Sequence, residues 1–182
     1  MKLLKNSDIY EDARKVLYPA DYTEEECLDG VKIINLNSIP AEEGDFAEIL
    51  RIKNGLLENI KGFKLAQINR TTLVPGSIKA WHLHYKQDEI WYVSPMGHLL
   101  AGLWDVRKSS STSGKTMRIV LGGGTSRMLF IPRGVAHGSA IFSSSPVELY
   151  VFVNQQFNLK HHDEKRIPWD SLGKEFWRPK RD

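Results

Sequence analysis

The chain has almost no cysteine: Cys27 is the only one in 182 residues. No intrachain disulfide framework can form, and a reduced compartment fits that usage. Long apolar runs are missing as well. None reaches the roughly 18 residues that a membrane span needs. The opening residues, Met1 to Asp8, lack the apolar core of a signal peptide. A cytoplasmic protein away from membranes is expected. An excess of one charge is also lacking. With 25 basic and 22 acidic side chains the formal net charge is +3, too slight to argue for nucleic acid. There is no internal repeat. At 41% apolar and 26% charged residues, the composition is that of a globular chain rather than a disordered one. The length predicts one domain with a sizeable core.

What is present is a run of short β-segments. Residues 1–30 are charged and mildly helical, with the acidic run Glu24 to Glu26 reading as a solvated face. This stretch is set apart as an N-terminal extension, and the domain proper is taken as 31–182. Strands are expected at Val31–Leu36, Ile49–Lys53, Phe63–Asn69, Ile78–His84, Ile90–Val93, Leu99–Val106, Thr116–Leu121, Arg127–Ile131 and Val147–Asn154. Ala41 to Glu48 reads as a loop, and Asn54-Gly55 is a strong turn signal. Gly122 to Gly124 has the look of a phosphate loop. No helical pattern follows it, so it reads as a strand turn. Many short strands at regular spacing argue for a sandwich or closed barrel.

The chemistry gathers in two stretches. His82 and His84 stand two apart on an expected strand, which sets both imidazoles on one face. Glu89 follows five residues later. The second stretch, Ile131 to Gly138, brings His137 behind a Pro-x-Gly turn. Gly76, His82, His84, Glu89 and Gly97 resemble the first motif of the cupins, with the last gap one residue too long. Pro132, Gly134 and His137 resemble the second, with Ser126 and Ile141 in place of its Gly and Asn. The resemblance implies an all-β, single-domain cupin jelly-roll barrel with short peripheral helices.

Between Ala41 and Pro179 the chain also resembles a branch of the cupins, the dTDP-4-dehydrorhamnose 3,5-epimerase family. Asp105-Val-Arg107 through Gly114, Ile131 through Gly138, Leu149-Tyr150, and the Ile167–Trp169 and Trp177–Pro179 landmarks carry it. The resemblance implies a homodimer acting on a nucleotide-linked 4-keto-6-deoxy sugar, without a cofactor. A base removes the proton beside the ketone and an acid returns one from the other face. Carried over by position, His82 is the base, Tyr150 the acid, and His137 and Lys79 their companions. Gln67, Asn69, Phe46 and Glu48 help hold the substrate, with His84 and Glu89 as cavity lining.

The departures cut both ways. Glu43 stands where the family has Arg, and Glu89 where it has Lys. The family's Ser-x-Lys-Asp stretch, whose Asp orients the base, has no counterpart before Asp182. Glu89 is the candidate to substitute for it. Yet His84 and Glu89 also complete a metal set with His82 and His137, of a kind that suits several divalent ions. Base, metal ligand and packing residue therefore all stand as readings of His82, and an enzyme of metal-dependent chemistry, or a non-catalytic sugar-binding cupin, as alternatives to the epimerase. Trp81, Trp91, Trp104, Tyr92 and Phe152 read as core. His161-His162 reads as a solvated loop, and the tail from Trp177 to Arg181 as a solvated terminus.

Overall fold

The computed structural model describes residues 3–20 and 26–180. Glu24, Glu25 and Arg181, on which two of the expectations above fall in part, lie outside them. The described residues among the first thirty hold a short 3-10 turn, Asn6–Asp8, and one short helix, α1 (Glu11–Lys15). Fourteen strands follow: β1 (Lys32–Asn35), β2 (Ser38–Ala41), β3 (Gly44–Ala47), β4 (Ile52–Lys53), β5 (Leu56–Leu57), β6 (Gln67–Leu73), β7 (Ile78–His84), β8 (Glu89–Tyr92), β9 (His98–Asp105), β10 (Thr116–Gly122), β11 (Arg127–Ile131), β12 (Val135–Ala140), β13 (Val147–Val153) and β14 (Glu164–Arg166). A 3-10 turn at Lys174–Trp177 comes last.

Ten of the strands build two five-stranded antiparallel sheets, in the orders β1-β11-β8-β13-β6 and β10-β9-β12-β7-β14. The expected closed barrel is not what the hydrogen bonding gives. Among the described residues no strand of one sheet pairs with a strand of the other. The edges β1 and β14 have only four and three residues, too few to carry pairing across. Residues 41–48, read as a loop, instead contribute to a ribbon of β2 and β3, and Asn54-Gly55 turns a second ribbon of β4 and β5. Asn54 and Gly55 take φ of 51° and 77° there, the left-handed pair that a two-residue hairpin demands.

Period-two alternation sorts the apolar side chains into three layers. Between the sheets lie Trp91, Leu99, Leu103, Leu121, Leu129, Val135 and Leu149. Outside the first sheet, Ile90, Tyr92, Met128 and Phe152 meet Leu57, Ile60 and Phe63 from the ribbon side. Outside the second, Trp81, Leu83 and Ala136 meet Trp177 and Phe176 from the C-terminal segment. Gly102 makes that last layer fit: a Cβ there would lie 2.6 Å from the Trp177 ring.

The Asp105–Gly114 signature is structural. Asp105 is fully buried and accepts from Arg107 Nε and Nη2 at 2.8 Å each, Ser110 Oγ at 2.5 Å and Thr112 Oγ1 at 2.6 Å. Burial alone would raise its pKa. The donors from Arg107, Ser110 and Thr112 outweigh burial and hold it well below the usual carboxylate range. Arg107 Nη2 also donates to Asp29 O at 2.6 Å, which pins the start of the domain to this loop.

Candidate active site

One end of the space between the sheets is left open as a cavity of about 460 Å³. The walls follow the alternation with one exception, on β7. β7 turns His82 and His84 inward while Trp81 and Leu83 go to the outer layer. β8 turns in Glu89 and Trp91, β12 His137 and Ser139, β6 Gln67, Asn69 and Thr71, and β13 Leu149, Val151 and Val153. Lys79 breaks the rule, since it is three residues from His82. The β7–β12 register explains it: His137 pairs with His82, but Ser139 pairs with Lys79. This bulge re-aims one side chain, and Lys79 joins the lining.

His82, His137 and His84 form a ladder of nearly parallel rings. Centroids are 5.9 Å apart from His82 to His137 and 5.5 Å from His137 to His84. Glu89 closes one end. Its Oε1 lies 3.1 Å from His84 Nε2, and its Oε2 lies 3.4 Å from His137 Nε2. Gln87 Nε2 and Trp91 Nε1 each donate to it at 2.7 Å. Burial would raise the Glu89 pKa, but the charge of His137 and the donors His84 and Trp91 drive it far down. For His84, burial disfavours the cation, yet the hydrogen bond and charge of Glu89 prevail and raise its pKa. His137, wholly enclosed, is shifted down by burial, against the pull of Glu89. Its Nδ1 stands 3.0 Å from Val135 O, so Nδ1 carries a hydrogen, and Nε2 is the nitrogen turned to Glu89.

The other end of the ladder belongs to β14, which no sequence signal announced. Glu164 Oε1 lies 3.3 Å from His82 Nδ1, and Arg166 Nη1 lies 2.7 Å from His82 Nε2. Burial, followed by the charges of His137, Arg166 and Lys79 and opposed by Glu89, lowers the His82 pKa to about 3. His82 is therefore a neutral imidazole across the physiological range. Glu164, and not Glu89, is the carboxylate beside it.

Seven of the ten expected residues line the cavity: Gln67, Asn69, Lys79, His82, His84, Glu89 and His137. Tyr150 has the wrong parity: Leu149 and Val151 point in, so it points out. There it packs with the Phe63 layer, and its hydroxyl donates to Glu148 Oε2 at 2.9 Å. Phe46, on β3, is 65% exposed, and Glu48 pairs with Arg51 at 2.6 Å; neither lines the cavity. Of the four expected metal ligands, His84, Glu89 and His137 offer atoms within 4.8 Å of one another, and His82 is not among them. His161 and His162 are exposed, as expected of a loop, but lie at the cavity rim. Trp91 is both core and hydrogen-bond donor. From these placements Tyr150→Phe should leave solvent-proton exchange and net inversion within about twofold of wild type, because the hydroxyl lies outside the cavity; a tenfold loss of inversion with exchange intact would return Tyr150 to the acid role.

A part-buried histidine beside a carboxylate, facing an amide-lined wall, is an arrangement suited to acid–base chemistry on a β-sandwich. The sequence comparisons say which. The chain matches the family of dTDP-4-dehydrorhamnose 3,5-epimerase over residues 25–176 and belongs to it. It is an isomerase by that membership. It is 38% identical over 143 residues to the spore coat polysaccharide biosynthesis protein SpsL of Bacillus subtilis, covering 79% of this chain and 91% of that one. Among solved structures it is similar to a dTDP sugar isomerase from Desulfovibrio desulfuricans, with a TM-score of 0.69, 26% identity, and 80% and 88% of the two chains covered. RmlC from Streptococcus suis, solved with dTDP-D-xylose, matches with a TM-score of 0.61, 25% identity, and 73% and 68% covered.

Proposed function

We propose that this protein epimerises a nucleotide-linked 4-keto-6-deoxy sugar, with His82 as the base that removes the proton beside the ketone. The observation that carries the reading is the setting of His82: a ring in the cavity wall with Glu164 at Nδ1, which burial keeps neutral. A positioned neutral imidazole is the group such a step needs. The C–H bond breaks, its proton goes to Nε2, and its electron pair moves onto the ketone oxygen. That enolate needs positive charge or donors. Lys79 and His84, whose cationic form Glu89 favours, supply them where the family's Lys is absent. The proton that completes inversion has to arrive from the facing β6–β13 wall, where the Thr71 hydroxyl can pass on a proton from water while the Gln67 and Asn69 amides hold the sugar. Gln67 is braced for holding substrate, since its Oε1 accepts from Phe157 N at 3.0 Å and its Nε2 donates to Asn69 Oδ1 at 2.6 Å.

We read the two sheets as one cupin jelly-roll domain, 31–182, preceded by the 1–30 extension. A homodimer in the cytoplasm is the setting we assign. No described helix is long and apolar enough to cross a membrane. This chemistry calls for no cofactor. The second reading, a metal-dependent enzyme, rests on the closeness of His84, Glu89 and His137.

One preparation, purified without an affinity tag or added metal, tests both readings. Wild-type protein in deuterated water should place deuterium beside the ketone of a dTDP-linked 4-keto-6-deoxy sugar, at a rate that a chelator leaves unchanged. No exchange with any such sugar would sink the epimerase. Stoichiometric metal, with activity lost on chelation, would establish the second reading instead.

A further inference from the structure

Arg166 is unused in the mechanism above, and its position conflicts with a free base. Its Nη1 lies 2.7 Å from His82 Nε2, and its Nη2 lies 2.5 Å from Glu164 Oε1. A guanidinium has five N–H donors and no acceptor. The ring nitrogen facing it must therefore present a lone pair. The hydrogen of the neutral ring then sits on Nδ1, the nitrogen beside Glu164. The lone pair that should take the sugar's proton is occupied. Once protonated, Nε2 would set one N–H against another at the same distance. Arg166 has to withdraw before His82 can act.

The surroundings let it withdraw. β14 is a three-residue edge strand. The Arg166 side chain is 53% exposed and that of His82 only 13%, so the guanidinium reaches the ring from the solvent side. Something must outbid a hydrogen bond to a neutral ring and a shared carboxylate. A phosphate oxygen pair does so: guanidinium binds it in a two-pronged, charge-assisted way. A nucleotide-linked sugar brings a diphosphate attached directly to the ring that is to react.

We propose that Arg166 plugs His82 in the free enzyme, and that the diphosphate of the incoming nucleotide sugar draws it away and so frees the base. Arg166 is a positioning residue acting through His82, and Glu164 keeps the ring in its Nδ1–H tautomer as the plug leaves. The inference rests on the epimerase reading with His82 as base. It makes the anionic handle, which does not react, a requirement for proton removal as well as for binding. Binding energy from a remote group is then used at the reacting centre.

The experiment uses a 4-keto-6-deoxy sugar that lacks the nucleotide and the diphosphate, in deuterated water, with inorganic pyrophosphate as the probe. Wild type should exchange this free sugar slowly, and pyrophosphate should speed exchange by on the order of 10²-fold, the low end of what a positioned base supplies. Arg166→Ala should exchange it at the raised rate unaided and gain nothing from pyrophosphate. Arg166→Lys, still a donor but without the fork, should keep a weaker pyrophosphate response. Imidazole ¹⁵N spectra should show His82 as the Nδ1–H tautomer without ligand, with pyrophosphate shifting Nε2 and leaving Nδ1 protonated. The plug is overturned if wild type exchanges the free sugar equally well with and without pyrophosphate, if Arg166→Ala is no faster than wild type, or if unliganded His82 carries its hydrogen on Nε2. Should Arg166→Ala misfold, the wild-type pyrophosphate response and the spectra still decide. Wild type that turns over the nucleotide sugar but ignores pyrophosphate rejects the plug alone. Wild type that also leaves the nucleotide sugar untouched rejects the epimerase reading, and the plug falls with it.

Discussion

Glu89→Ala should destabilise the fold by about 3–5 kcal/mol, the usual cost of removing one partner from a buried charge pair. In a chain of this size that is a fall of roughly 6–20 °C in melting temperature. Glu89 is 6% exposed, and four side chains converge on its two oxygens: Gln87 and Trp91 as donors, His84 and His137 through Nε2. Taking the carboxylate away leaves His84 in the core without the anion that favours its cation, and two donors with no acceptor. The pH dependence identifies the cause. The His84 pKa is raised in the fold, so its contribution is present below the ordinary histidine value of about 6.5 and is lost as pH rises through the folded value. The Glu89 pKa is lowered, so its contribution is present above the ordinary carboxylate value of about 4.3 and is lost as pH falls. Both act fully between roughly pH 4.3 and 6.5. Urea unfolding of wild type and Glu89→Ala should therefore differ most in that window and less at pH 9. A loss under about 1 kcal/mol at pH 5.5, in the range of an exposed pair, would mean that His84 is neutral and that the positive charge assigned to the enolate site comes from Lys79 alone.

How far the sequence led depended on whether a side chain's neighbours obey a local rule. β7 and β11 match their expected limits residue for residue, because apolar and polar residues alternate there and turn signals flank them. His82 and His84 on one cavity wall follow from period two alone, and Glu89 across from them from the spacing of two consecutive strands. Three features followed no local rule. Lys79 reaches the cavity only through a bulge, and the bulge depends on how β7 registers with β12, fifty-odd residues away. Tyr150 sits beside residues that do face inward, and a family match by position cannot tell one face of a strand from the other. β14 reads Glu-Lys-Arg, with no apolar residue to mark a strand, and becomes one only because β7 offers it an edge. The carboxylate beside His82 came from there. Its only trace in sequence is that Glu164 and Arg166 are two apart, the spacing that puts both on one face of a strand. The ribbon of β2 and β3 escaped for a related reason, since its strands are exposed on both faces and show no alternation to read.

His82→Ala should reduce deuterium exchange into the nucleotide sugar by on the order of 10²–10⁴-fold, the contribution of a positioned general base, with little change in melting temperature because the ring sits at the cavity wall. Glu164→Gln should fall in the same direction while leaving the base in place. An amide can still accept from Nδ1–H, but it no longer favours the imidazolium that forms when the sugar's proton arrives. The pH profile separates a base from a residue that merely shapes the pocket. In the free enzyme burial, then His137, Arg166 and Lys79, hold the His82 pKa at about 3 against Glu89, and Glu164 stands at Nδ1. Because kcat/KM reports the free enzyme, its acid limb from His82 should lie far below the ordinary 6.5. In the substrate complex Arg166 has turned to the diphosphate, one of the cations lowering the pKa is gone, and the acid limb of kcat should lie at higher pH than that of kcat/KM. Arg166→Ala should bring the two limbs together by moving the kcat/KM limb upward. Two limbs that coincide in wild type, or that stay apart in Arg166→Ala, would show that the proton affinity of His82 is set by its pocket alone and that Arg166 has no hand in it.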